Sequence, residues 1–167
     1  ELSTDRALNL IQKAIKESRC RHFTFTGGEP VLREDLEKLV ACAAGLCEQV
    51  TLITNGTLLS QQRVKSIIDA GVSLFELPLN SAESAMHNQM AGGIDCFSKV
   101  TQAAADIRYH GAELAFVFVG TCVNIEHWKE ALEVGIALGA RGFLFNRYNA
   151  GGQYCKQPEK LMPSVEQ

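Results

Sequence analysis

The most unusual sequences of this chain, in residue types that could do chemistry, fall in five short polar segments. They are Gly27-Gly28-Glu29-Pro30, Thr54-Asn55-Gly56-Thr57, Asn80-Ser81-Ala82-Glu83, Gly120-Thr121-Cys122-Val123-Asn124 and Asn146-Arg147-Tyr148-Asn149-Ala150-Gly151-Gly152. The first is the most informative. Two glycines permit unusual backbone angles and let a ligand approach the main chain closely. Pro30 fixes its own φ and pushes Glu29 toward an extended conformation. A carboxylate held at a strand end accepts a charge-assisted hydrogen bond from an ammonium group. The chemistry on offer is therefore a site for a ligand with a free amine, such as an amino acid. A plain Gly-Gly turn, a solvated Glu and a Pro that starts the next helix account for the same residues equally well.

Six cysteines, at 20, 42, 47, 96, 122 and 155, are the other candidates. No Cys-x2-Cys pair occurs, and Cys42 with Cys47 is a weak metal pair. The chain is long and poor in turns for a disulfide framework, which leaves free thiols in a reducing cytoplasm as the better reading. His87 reads as an exposed loop residue. His22, His110 and His127 read as surface residues. Trp128 falls on an apolar helical stripe and reads as core. Arg147 and Tyr148 follow the last strand, where they could meet a substrate carboxylate or ring.

The polar segments need a scaffold, and the pattern between them supplies one. Leu8, Ile11 and Ile15 predict a helix over 4–18, with Ser3 or Thr4 as its cap. Strands are expected at His22–Thr26, Val50–Thr54, Ser73–Leu79, Leu114–Val119 and Gly142–Phe145. Helices are expected around Leu36–Ala43, Val64–Ile68, Phe97–Tyr109 and Trp128–Ile136. Strand and helix alternate at intervals suited to right-handed crossovers, which implies a parallel sheet. Every polar segment then lies beyond the carboxyl end of a strand, where parallel α/β folds bind ligands. The opposite edge carries blander turns, Gly71-Val72 and Gly139-Ala140-Arg141. No internal linker is visible, and the tail after Gly152 is polar and expected to be loosely attached.

Composition is ordinary. The chain has 167 residues, 46% hydrophobic and 21% charged, with a net charge of −3. One domain with a real core is expected. The slight acidity gives no support to nucleic-acid binding. No apolar run approaches the roughly 20 residues of a membrane-spanning helix. No secretory signal is visible at the start, and a cytoplasmic location is expected.

Phe23 to Leu32 resembles the GGEP segment of radical S-adenosylmethionine (radical SAM) enzymes. The resemblance continues through Leu52-Ile53-Thr54-Asn55-Gly56-Thr57-Leu58-Leu59. It extends to His87–Gly92, in the place of the family's HDxxRG stretch, to the Asn124 turn and to Asn149-Ala150-Gly151-Gly152. It implies an α/β fold, a partial parallel (β/α)6 barrel of the radical SAM type, spanning residues 1–152 and lacking its first strand. Residues 153–167 would be a polar tail or the start of a linker. The implied cofactor, S-adenosyl-L-methionine (SAM), would lie across the strand ends. By position, Gly27, Gly28 and Glu29 would meet its amino group. Thr54 and Asn55 would line the cavity beside it, Asn80 and Ser81 would lie near its ribose, and Asn124 would lie near a further cofactor-contacting turn.

Two departures from the family pattern stand out. The family's C-x3-C-x2-C motif, which ligates a 4Fe–4S cluster, is absent from the chain. Pro78 and Asn80 interrupt the usual Ser-(Ile/Leu)-Asp-Gly turn, and Met90-Ala91 stands where the family's arginine is common. The resemblance implies an enzyme that reductively cleaves SAM to a 5′-deoxyadenosyl radical, which abstracts hydrogen from a substrate. The cluster would belong to the complete protein, and this chain alone would be inert. The implied partners are SAM, an electron donor, and a peptide or cofactor-precursor substrate, with no nucleic acid and no membrane. A non-catalytic small-ligand-binding module that lost its cluster is the alternative. An aldolase-like barrel fits poorly, because Lys65, Lys99 and Lys129 lie within helices and not at strand ends.

Overall fold

The structure is a computed structural model that describes residues 2–149 and 160–164. Five strands form one sheet: β1 (His22–Phe25), β2 (Gln49–Ile53), β3 (Leu74–Pro78), β4 (Glu113–Gly120) and β5 (Gly142–Arg147). Their spatial order is β1-β2-β3-β4-β5, and every neighbouring pair is parallel. Sequential order with right-handed crossovers places the connecting helices on one face. A doubly wound fold would reverse its strand order and cover both faces. This sheet is an open, singly wound arc, as expected of a partial barrel.

The helices are α1 (Thr4–Ser18), α2 (Leu36–Ala44), α3 (Gln61–Asp69), α4 (Ser84–Ala91), α5 (Cys96–Tyr109) and α6 (Trp128–Ala137). Side chains alternate across a strand. Val50 and Leu52, Phe75 and Leu77, and Leu114, Phe116 and Phe118 all point to the helical face and are buried. They meet Leu36, Val40, Ile67, Val100 and Ile107 in a single core. Full burial of each such side chain contributes roughly 1.5–3 kcal/mol. The other face carries Thr24, Ile53, Glu76, Pro78 and Val117, none of them fully buried.

Ser3 stands at the N-terminal cap of α1 without a side-chain cap bond. The Thr4 hydroxyl instead donates to Asp35 Oδ2 at 2.6 Å, and Arg33 pairs with the same carboxylate at 2.8 Å. These bonds hold the Asp35 carboxyl at about 2, Arg33 being the larger influence. They tie α1 to the start of α2.

Two expectations fail. Residues 84–91 form a helix, and His87 on it is fully buried. Its segment has few apolar residues in helical register, so periodicity alone gave no sign of it. Trp128 is 37% exposed. It begins α6 beside β5, the sheet's edge, where its ring meets that of Phe145 edge-on at 6.4 Å. No described helix is long and apolar enough to cross a membrane.

Candidate functional site

The carboxyl ends of β1, β2 and β3 form an open cavity of about 250 Å³. Thr26, Gly27, Gly28, Glu29, Thr54, Asn55 and Glu76 line it together with Ile53, Pro78 and Val117. Five of the eight sequence-predicted site residues therefore share one space. They meet there because parallel strands end on the same side.

Glu29 organises the cavity. Its Oε1 accepts from the Val31 N–H at 3.1 Å and from the Thr54 hydroxyl at 2.6 Å. Its Oε2 accepts from the Asn55 N–H at 2.8 Å. Pro30 holds Glu29 extended, at φ −128° and ψ 107°, and opens a short 3-10 turn over Pro30–Leu32. The carboxylate thus staples the β1 loop to the β2 loop. With three donors already in place, it has little left for a ligand's amine.

The two glycines differ. Gly27 has φ 141°, a conformation that side-chain-bearing residues rarely adopt. Gly28 has no positive φ. A Cβ built on either would meet no protein atom within 4 Å. Gly27 is explained by its backbone angle. Neither a positive φ nor packing requires glycine at 28, a residue that lines the cavity and has open space where a Cβ would stand.

Pro78 shapes the same space. The Thr54 N–H donates to the Glu76 carbonyl at 3.2 Å. The next bond of the parallel ladder would run from residue 78 to the Thr54 carbonyl, and proline has no N–H to give. Among the described residues nothing donates to that carbonyl, which leaves an acceptor at the cavity wall.

The tips of β3 and β4 are built differently. Asn124 is fully buried. Its Oδ1 accepts from the N–H and hydroxyl of Thr121, and its Nδ2 donates to the Asn80 and Val119 carbonyls. Asn80 Oδ1 accepts from the Val119 N–H, and the Asn80 N–H donates to His87 Nδ1 at 3.3 Å. Burial pushes the His87 pKa down. Ser81 is buried, and its hydroxyl accepts from the Glu83 N–H. Asn80, Gln89, Met90, Val119, Thr121, Val123, Tyr148 and Leu161 line a second cavity of about 400 Å³. Asn80 belongs to it. The Ser81 and Asn124 side chains are spent on protein groups. Leu161 reaches it because its carbonyl accepts from the Cys122 N–H.

Arg147 is the last residue of β5 and is exposed, and Tyr148 lines the second cavity. The 150–152 part of the closing Asn-Ala-Gly-Gly segment, the 152/153 boundary and Cys155 lie outside the described residues. Cys47 neighbours Cys20, with sulfurs 4.0 Å apart, and burial pushes the Cys47 thiol up. Sequence reading missed Glu76 and the buried role of His87. The available sign for Glu76 was a charge at the inward position of a strand whose neighbours, Phe75 and Leu77, are apolar.

The sequence profile of the Radical SAM superfamily matches residues 1–134. The PqqA peptide cyclase of Methylocella silvestris is 33% identical over 120 residues, covering 72% of this chain and 32% of the cyclase. SuiB of Streptococcus suis superposes with a TM-score of 0.81 over 99% of this chain and 37% of its own, at 18% identity. It has also been solved with the precursor peptide SuiA, and that form gives a TM-score of 0.77 over 90% of this chain and 34% of its own, at 18% identity. The enzyme anSMEcpe with bound AdoMet gives a TM-score of 0.72 over 92% of this chain and 46% of its own, at 24% identity. The chain thus spans less than half the length of each. By its profile match, its cyclase relative and its singly wound parallel sheet, the chain belongs to the Radical SAM superfamily.

Proposed function

We propose that this chain is the SAM-binding core of a radical SAM enzyme that modifies a peptide. The observation that carries the reading is Gly28, a glycine that the fold does not need, lining a cavity at the strand tips. The peptide as substrate is supported by the identity with the PqqA peptide cyclase.

SAM supplies, on one-electron reduction, the 5′-deoxyadenosyl radical that takes a hydrogen atom from the substrate. This chain's residues bind and orient it. The Gly27-Gly28 backbone would receive its amino-acid end, and the Thr54 carbonyl is a main-chain acceptor that would take its ammonium. Glu29 acts through the backbone, holding the loop against Thr54 and Asn55. Asn80 and Tyr148, in the second cavity, would hold the nucleoside end, where the Asn124 network fixes the main chain.

The chain's own residues do not fit the iron–sulfur cluster. None of its cysteines has the C-x3-C-x2-C spacing, and no group of three or more His, Cys, Asp or Glu among the described residues could hold a metal ion. The cluster ligands therefore belong elsewhere in the working enzyme, and this chain alone is inert. The reading includes an electron donor, a cytoplasmic location, a core over residues 1–152 and a tail or linker over 153–167.

The test is anaerobic incubation of the complete, reconstituted protein with SAM and dithionite. Release of 5′-deoxyadenosine and methionine is expected. SAM binding without cleavage would overturn the reading in favour of a non-catalytic module. Cluster absorbance in the isolated 167-residue chain after iron and sulfide reconstitution would overturn its inertness.

A further inference from the structure

The cavity at the β1–β3 tips holds two carboxylates in opposite states. Glu29 accepts three hydrogen bonds. Glu76, among the described residues, accepts none through its side chain, and no cation reaches it. Its backbone is committed: the carbonyl accepts from Thr54, and the residue pairs with Ile53 of β2 and Ala115 of β4. Phe75 and Leu77 face the helices, so Glu76 faces the inside of the arc.

Its surroundings are apolar. Ile53, Pro78 and Val117 line the cavity around it, and burial pushes its carboxyl above the usual range. The other titratable group lining this cavity is Glu29, whose oxygens are engaged. A half-buried carboxylate without a donor costs stability, and such a cost marks a functional group where it borders a cavity. Glu76 lies within β3, two positions before Pro78, whereas Gly27 and Gly28 lie past the end of β1. It therefore forms the floor beneath the cradle and not its rim.

We propose that Glu76 anchors the substrate, its carboxylate taking an ammonium group of a peptide, from a lysine side chain or a free N-terminus. The inference rests on the SAM reading of the cavity above it. An ammonium is a compact charge with three donors, suited to a single carboxylate set among apolar side chains.

The test uses the complete protein loaded with SAM and three small probes, with binding followed by NMR. N-acetyl-lysine amide carries a side-chain ammonium, norleucine amide carries an α-ammonium, and N-acetyl-norleucine amide carries neither. At least one cationic probe should bind about tenfold more tightly than the neutral one, and Glu76→Gln should abolish that preference. The cationic probe that gains identifies the source. Glu76→Asp, which keeps the charge, should retain the order at reduced strength and serves if the Gln variant does not fold.

No preference in the wild type would overturn the inference. So would a preference that survives Glu76→Gln. A tenfold loss of SAM affinity in that variant would also overturn it, by giving Glu76 to the cofactor. If the wild type does not bind SAM, the cofactor reading fails by itself, and the same probes applied without SAM still score Glu76.

Discussion

The two ends of the strand-tip rim are stapled by the same device to opposite effect. At β1 and β2, the Glu29 carboxylate joins two loops through three donors, beside two glycines where a Cβ would meet no protein atom within 4 Å. At β3 and β4, the Asn124 amide joins Asn80, Val119 and Thr121 through four bonds and is wholly buried. The first staple fixes a loop and leaves its backbone open. The second fixes its loops and closes over itself. Rigidity is needed at both places to hold a ligand in one geometry; the Glu29 staple itself lines its cavity, whereas the Asn124 amide is shut away and its network meets the second cavity through Asn80 and Thr121.

That contrast can be broken in graded ways. The largest effect is expected at the closed staple. Asn124→Ala strands the Thr121 N–H and two carbonyls in a dry setting and should cost about 2–4 kcal/mol in chemical denaturation. If it costs no more than an exposed substitution, the network is not the strut described.

Glu29→Ala should cost about 1–3 kcal/mol, because the Thr54 hydroxyl and the Val31 and Asn55 N–H groups lose their acceptor. In the complete protein it should also weaken SAM binding, an outcome calorimetry reads separately. Thr54→Val removes one of the three donors and should cost about 1 kcal/mol. Glu29→Ala in the Thr54→Val background should then cost less than it does alone, a non-additivity that a double-mutant cycle measures.

Glu76 gives a smaller effect of opposite sign. Its carboxyl is raised in the folded state by burial. The native protein therefore holds that proton more tightly than the unfolded chain. The resulting stability is complete below about pH 4 and is lost as pH rises through the raised value. Glu76→Gln should melt higher than the wild type at neutral pH, and the gap should close in acid. A gap independent of pH would remove the unpartnered carboxylate from the account.

Much of this was legible in the residues. Phe23-Thr24-Phe25 before two glycines marked a strand and its end, and the alternation of strand with amphipathic helix placed the first four polar segments on one rim. What stayed hidden depended on neighbours distant in sequence. His87 lies in a segment with little helical amphipathicity, and only its bond to Asn80 and its packing on Phe97 show why it is buried. Glu29 read as a ligand carboxylate, and its occupation by Thr54 and Asn55 depends on the β1–β2 register. Trp128 matched an apolar stripe, but the stripe runs out at the sheet's edge.

The central claim is that the cradle at the β1 tip is glycine for the sake of a ligand. Gly28→Ala tests it most directly, in the complete protein, by calorimetric titration with SAM alongside thermal unfolding. The account predicts a melting temperature equal to or above that of the wild type, since the new methyl meets no protein atom, together with SAM affinity weakened about tenfold or more, a loss of about 1.4 kcal/mol. Unchanged SAM affinity in a fully folded variant would contradict it.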